Sequence, residues 1–260
     1  MTVSTDGQRI YAVGDIHGEI DLLMEMTSRI TDDMLRRPHR NPRVVFIGDY
    51  NDRGPNSRAV YEFLIGLQDS SFPVTCLLGN HDSYILTYLD DPIWVEHAMH
   101  WMNPRLGGDK TLASYGVHGA TEDYPADSHA AFEAAFPERH RLFIANCEQY
   151  LKIGDYVFVH AGIRPGVPLE KQSLRDLIMI RDPFLNSTLD HGFKVVHGHT
   201  ISENVEHHSN RIGIDTGAFR TGRLSCVVLE DEDVSLLDKD SLKPWPKGSG
   251  LGIAKKWAFS

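Results

Sequence analysis

Val44-Val45-Phe46-Ile47-Gly48-Asp49-Tyr50-Asn51-Asp52-Arg53-Gly54 is the stretch whose reading decides the fold. A short β-branched run stops at a glycine and polar side chains crowd the turn behind it, which is how a buried strand ending in a functional loop reads. Four other stretches repeat the pattern. Ile10-Tyr11-Ala12-Val13 leads into GDIHG (Gly14 to Gly18) and Val74 to Leu78 into GNHD (Gly79 to Asp82). Tyr156 to Val159 leads into HAG (His160 to Gly162), and Val195-Val196-His197 into GHT (Gly198 to Thr200). Any one of these alone is most simply a turn. Five in series, each presenting Asp, Asn or His at a strand end, describe a hydrolytic metalloenzyme.

Between these loops the first ninety residues alternate strand and helix. Strands at Arg9 to Val13, Arg43 to Ile47 and Val74 to Leu78 are followed by helical patterns at Glu19 to about Arg36, Ser57 to Leu67 and near Ser83 to Leu89. This order predicts a largely parallel sheet with right-handed crossovers. Residues 92–149 change character, with helical patterns near Leu112 and from Asp127 to Phe136, and are read as a mostly helical insertion over the sheet. From Tyr150 strands dominate: Leu151 to Ile153, Tyr156 to Val159, Lys194 to Val196, Arg211 to Ile214, Leu224 to Leu229 and Val234 to Leu237. Only a short helix at Leu174 to Ile180 interrupts them. The predicted architecture is α/β: two packed mixed β-sheets, a central sandwich flanked by helices. Residues 1–240 form one catalytic domain in this reading, and 241–260 a C-terminal tail.

Composition bounds the function. The chain has 260 residues, 41% hydrophobic and 24% charged, with net charge −10 from 26 Lys and Arg against 36 Asp and Glu. That balance argues against a nucleic-acid-coating protein. No apolar run approaches the roughly 20 residues of a membrane helix. The polar start, Met1 to Arg9, lacks a signal-peptide core. Cys76, Cys147 and Cys226 are widely spaced and read as buried thiols, so a cytoplasmic location is expected. An acidic surface still admits a phosphorylated substrate. Two divalent ions with two carboxylate ligands leave about two positive charges in the pocket.

The side chains at the strand ends form a mixed donor set. Asp15 and His17 sit two apart and can point into one cavity; Asp49 has an oxygen for each of two metals and is the natural bridge. Asn80 offers an amide oxygen, and His160 and His199 offer imidazole nitrogens. Carboxylate, amide and imidazole together suit manganese, iron or zinc, and not calcium, which prefers oxygen cages. Of the 14 histidines, His39, His97, His100, His118, His129, His140, His191, His207 and His208 lack the strand-end context and read as surface or satisfied residues. His197, two before His199, reads as facing elsewhere or supporting the ligands.

The motif set, from Val13 to Thr200 and on through Ile214-Asp215-Thr216-Gly217-Ala218, resembles that of the phosphoprotein phosphatase family among the calcineurin-like metallophosphoesterases. WMNPRLGGDKTLASYG (Trp101 to Gly116) is similar to a segment of bacterial members. The resemblance implies a β-sandwich, a dinuclear centre and phosphomonoester hydrolysis. It places Asp15, His17 and Asp49 on one metal, and Asp49, Asn80, His160 and His199 on the other. It makes His81 the catalytic acid paired with Asp52, and Arg53 a phosphate-binding group. Arg181 is similar, more loosely, to a second phosphate-binding arginine. Asn51 stands where an apolar residue is usual, HAG replaces HGG, and GNHD replaces GNHE.

The expected chemistry is direct attack by a metal-bridging hydroxide, with manganese the first choice in vitro and iron or zinc as alternatives. General acid–base catalysis supplies only about 10²–10⁴ of such an acceleration, so the metals carry most of it. The expected substrates are phosphoserine or phosphothreonine proteins or peptides, with phosphotyrosine also open. The alternative is a nucleotide hydrolase that splits diadenosine polyphosphates. Those relatives tend to lack the Asp-Arg pair of the second motif, so the intact Asp52-Arg53 favours the phosphatase. Residues 101–124 read either as a substrate-selecting rim or as a cap that shields the sheet. The tail, with Lys243, Trp245, Lys247, Lys255, Lys256 and Trp257, reads as a strand or strap on the body before a docking element.

Overall fold

The computed structural model describes residues 3–97, 99–121, 123, 125–238 and 242–244. Its first sheet is built around β1 (Arg9–Val13), which pairs in parallel with β2 (Pro42–Phe46); β2 pairs in parallel with β3 (Val74–Cys76). Helices α1 (Ile20–Arg36) and α2 (Ser57–Leu67) make the crossovers, as the alternation requires. A helix α3 (Asn80–Asp90) follows β3. It starts three residues earlier than the expected Ser83. The cause is local: the Asp82 carboxylate accepts the Gly79 amide at 2.9 Å, capping the first turn and drawing Asn80 and His81 into the helix.

The inserted stretch holds a short hairpin, β4 (Val95–Glu96) with β5 (Met99–His100), then α4 (Gly108–Ser114), α5 (Pro125–Ala135) and α6 (Glu138–Ala145). Helix α6 lacks the clean apolar period that marks α1, and the sequence reading missed it. The second sheet uses β6 (Tyr150–Ile153), β7 (Tyr156–Val159), β8 (Lys194–His197), β9 (Glu206–His207) and β10 (Arg211–Gly213), in the order β6-β7-β8-β10-β9. Short helices α7 (Leu174–Met179) and α8 (Asp182–Leu185) lie between β7 and β8, and α9 (Ala218–Thr221) follows β10. The chain then returns to the first sheet as β11 (Cys226–Glu230), β12 (Asp233–Leu237) and β13 (Leu242–Pro244), all antiparallel to their neighbours. Of the stretch expected as a tail, Leu242–Pro244 thus extends the six-stranded sheet, and residues 245–260 lie outside the described residues.

Alternation along β1 shows how the layers form. Ile10 and Ala12 face the second sheet, where they join Val45, Ile47, Phe158, Val196, Ile212 and Val227 in the core between the sheets. Tyr11 and Val13 face the other way, into a core with Leu23, Ile30, Val60, Ile85 and Phe132 of the helical layer. A third cluster packs Leu177, Ile178 and Phe184 against Val159 and Val195 on the outer face of the second sheet. Period-two burial on both faces is what a sheet covered on each side demands. Among the described residues no helix is long and apolar enough to cross a membrane. The cysteines are free thiols, Cys76 and Cys226 buried and Cys147 partly so.

Candidate metal centre

Strands β1, β2 and β3 run parallel, as do β7 and β8, so their carboxyl ends gather at one edge of the sandwich. There the five loops meet. His17, Asp49 and His81 bring ligand atoms within 4.8 Å of one another, and so do Asp49, His160 and His199; all are buried. Asp49 belongs to both triads, the bridging place its spacing suggested. The two clusters together have the composition of a dinuclear divalent site.

Close approach of the loops rests on glycine. A Cβ on Gly79 would lie 2.2 Å from Asp49 Oδ1, and one on Gly198 would lie 2.0 Å from Asp15 Oδ1. Strain concentrates at the same place. His17, Asp49, Asp52, Arg53 and His199 all have positive φ, between 49° and 68°. Each such residue costs on the order of 1–3 kcal/mol and persists only where its surroundings enforce it.

The donor set fits metal ions. His17 Nδ1 donates to Asn51 O and His160 Nδ1 to Ile47 O, both at 2.8 Å, which turns each Nε2 inward. Asn80 Nδ2 donates to Tyr84 Oη at 2.9 Å, so its Oδ1 faces His160 Nε2 at 3.1 Å. His199 Nε2 is buried with no hydrogen-bond partner, an atom that a cation would satisfy. Burial first, and then Asp215, push the Asp15 carboxyl well above its usual range. Burial also raises Asp215. Asp49 is held low against its own burial, chiefly by His160, and His160 rises to about 9 against its burial through Asp49. Crowded buried carboxylates of this kind favour a bound cation.

Two expected site residues sit beside the triads. Asp15 accepts the His199 amide, with Oδ2 at 3.0 Å, and so lines the His199 end of the centre. Arg181 is exposed at the rim, where Nη1 reaches Thr200 Oγ1 at 3.3 Å. The remaining pair lies inside. His81 Nδ1 donates to Asp52 Oδ2 at 2.6 Å. The Arg53 guanidinium donates to His17 Nε2 at 2.7 Å and to His81 Nε2 at 3.0 Å.

Sequence reading missed four contributors. Asp82 accepts the amides of Asp49 at 2.8 Å and Tyr50 at 3.0 Å, tying the second loop to the third; burial, then Asp49, raise its carboxyl to about 6. Trp101 Nε1 and Thr111 Oγ1 donate to Asp52 at 2.8 and 2.6 Å. Phe219, half-buried, lies under Arg53. The Asp of GNHD, the segment from Trp101 and the residue after IDTGA signalled them, but their roles arise only from distant parts of the chain. Asn51, unusual at its position, is explained. Its Nδ2 donates to Asp52 Oδ1 at 2.8 Å and to His81 O at 3.1 Å.

Residues 8–228 match the family model of the calcineurin-like phosphoesterases. The chain belongs to that family. This calcineurin-like phosphoesterase has the α/β fold expected from its strand and helix order, with a candidate dinuclear centre at the strand ends. It is 27% identical over 172 residues to the zinc-dependent endopolyphosphatase of Saccharomyces cerevisiae, an alignment covering 62% of this chain and 49% of the yeast protein. It is 30% identical over 159 residues to the symmetrical bis(5'-nucleosyl)-tetraphosphatase of Coxiella burnetii strain Dugway 5J108-111, covering 60% and 42%. The chain thus spans about half the length, or less, of the curated relatives it matches. The solved cold-active protein tyrosine phosphatase of a psychrophilic Shewanella species superposes with a TM-score of 0.58 at 17% identity, over 91% of this chain and 80% of that one, a likeness of fold.

Proposed function

We propose that this phosphoesterase hydrolyses dinucleoside polyphosphates, cleaving a phosphoanhydride within the polyphosphate bridge. The alignment with the Coxiella bis(5'-nucleosyl)-tetraphosphatase carries this reading, because it runs at 30% identity over 60% of the chain. It weighs more than the preference for a phosphatase over a nucleotide hydrolase that the intact Asp52-Arg53 pair gave.

The residues divide the work. Asp15, His17, Asp49, Asn80, His160 and His199 would hold two divalent ions, which when bound would supply an activated water and neutralise the phosphoryl oxygens. Arg53 turns its planar fork from the imidazoles to the phosphate, and Arg181 approaches from the rim. His81 gives a proton from Nε2 to the departing oxygen. Asp52, on Nδ1, fixes the plane and tautomer of the imidazole.

A second reading, a protein phosphatase, is favoured by one observation: the 2.6 Å Asp52–His81 pair. A serine or threonine alkoxide is a strong base and needs a proton more than a leaving nucleotide does. Rates on diadenosine tetraphosphate and on a phosphoserine, phosphothreonine and phosphotyrosine peptide panel, with manganese, zinc and iron in parallel, separate the two. Two molecules of ADP per tetraphosphate are expected. Turnover of the peptides with none of the nucleotide would replace the first reading by the second.

A further inference from the structure

Asp52 is fully buried, and its carboxylate accepts four hydrogen bonds. Oδ2 receives His81 Nδ1 at 2.6 Å and Trp101 Nε1 at 2.8 Å; Oδ1 receives Thr111 Oγ1 at 2.6 Å and Asn51 Nδ2 at 2.8 Å. Two of the four donors, Trp101 and Thr111, come from the inserted stretch between α3 and β6. We propose that Trp101 and Thr111 are positioning residues, which fix the Asp52 carboxylate and through it the plane and tautomer of His81. This rests on the reading of His81 as the acid.

The local construction argues for more than packing. Asp52 and Arg53 are consecutive non-glycine residues with φ of 68° and 67°, a turn that must be held from outside. Thr111 Oγ1 also accepts the Asp52 amide at 2.9 Å, so one hydroxyl grips both ends of the residue. Gly107 O accepts the Arg53 amide at 3.4 Å. A Cβ on Gly107 would lie 2.4 Å from Arg53 N, and one on Gly108 would lie 2.6 Å from the Trp101 ring. The glycine pair is what lets this segment press on the loop. Trp101 cannot swing away, since it is fully buried with ring contacts to Tyr88 and Phe132 at 5.1 and 6.0 Å. A residue needed only to fill space would require the indole ring; here its single donor meets the oxygen that also holds His81. With both donors removed, Asp52 would keep only His81 and Asn51 and could rotate about its carboxylate bond.

The test uses Trp101→Phe, which keeps an aromatic ring but removes the indole donor, and Thr111→Val, which keeps the branched shape but removes the hydroxyl that both donates to and accepts from Asp52. Both are assayed in the manganese-loaded enzyme, on phenyl phosphate and p-nitrophenyl phosphate. The first ester has the more basic leaving group and depends more on the proton. Each change is expected to lower kcat on phenyl phosphate by about tenfold, as loss of a bond to a charged group does, with KM nearly constant and the p-nitrophenyl ester affected less than about threefold. Thr111→Ser should restore the phenyl phosphate rate. The downfield imidazole N–H proton resonance that His81→Asn abolishes should move in both variants, with or without metal. Equal losses on the two esters with that resonance unmoved would reduce both residues to packing and overturn the proposal. If His81→Asn itself costs both esters equally, the acid reading falls and the proposal falls with it.

Discussion

Phe219 lies under Arg53, its ring centroid 4.8 Å from the guanidinium carbon, and meets the His17 ring edge-on at 5.3 Å. A flexible cation is thereby held by an aromatic face below and two imidazole nitrogens beside it. Phe219→Ala should raise KM, and the inhibition constant for orthophosphate, by roughly two- to fivefold, the scale of an exposed cation–π contact. Phe219→Trp should hold both near the parent values. Unchanged phosphate inhibition in the alanine variant would mean that the histidines alone position Arg53.

Asp49 is the member common to both triads, whereas His17 and His199 each belong to one. Replacing them should therefore have unequal effects on metal content. Asp49→Asn is expected to bind neither ion tightly, while His17→Gln and His199→Gln each retain about one per chain, lost ligands typically costing tenfold or more in affinity. Equilibrium dialysis with elemental analysis reads the stoichiometry directly. A two-ion Asp49→Asn protein would remove Asp49 from the bridge.

The strand-end candidates were legible because each depends on a local signal, an apolar run followed by a breaker, and the sheet brings such ends together without further information. Asp15, His17, Asp49, Asn80, His160 and His199 all carry that signal; His17, Asp49, His160 and His199 fall in the two triads, while Asp15 and Asn80 bond to His199 and His160. Asp82 and Trp101 were not legible in this way. Asp82 acts on amides 33 and 32 residues away, and Trp101 on a carboxylate 49 residues away. Such partnerships are created by packing and leave no period in the chain. Helix α9, four residues between two left-handed glycines, is too short for periodicity to mark.

Strands β8 and β9 of the second sheet should make the protein acid-sensitive. Burial, then Arg211, lower His197 to about 3, and burial, then Lys194, lower His207 to about 3. Both stay neutral when folded, while the unfolded chain protonates each near 6.5. Below that value the unfolded state binds protons that the folded state does not, so stability falls as pH drops from about 6.5 toward 3. Glu206 acts in the same direction lower down. Its hydrogen bond from His208 holds it near 2, so its contribution is present above about 4.5 and lost as pH falls through 2. Urea unfolding between pH 7 and 4 should show this slope, and His207→Gln should flatten it. An equally steep variant would trace the acid sensitivity elsewhere.

Asp82 is the strongest single test of how the loops are tied. Its Oδ2 accepts the amides of Asp49 and Gly79, and its Oδ1 accepts the Tyr50 amide and the Tyr61 hydroxyl. Removing it strands two amides at the left-handed turn of Asp49, the residue shared by both triads. Leaving buried donors unpaired costs about 1–3 kcal/mol each, so Asp82→Ala should lose roughly 2–5 kcal/mol in urea unfolding. Asp82→Asn keeps the shape and both oxygen-acceptor positions only in part, since one becomes a donor facing an amide, and should fall between. Metal affinity is expected to drop in step with stability, because the carboxylate that caps α3 through the Gly79 amide also holds the Asp49 and Tyr50 amides in place. Full stability together with weakened metal binding would instead make Asp82 an electrostatic neighbour of the centre and not its tether.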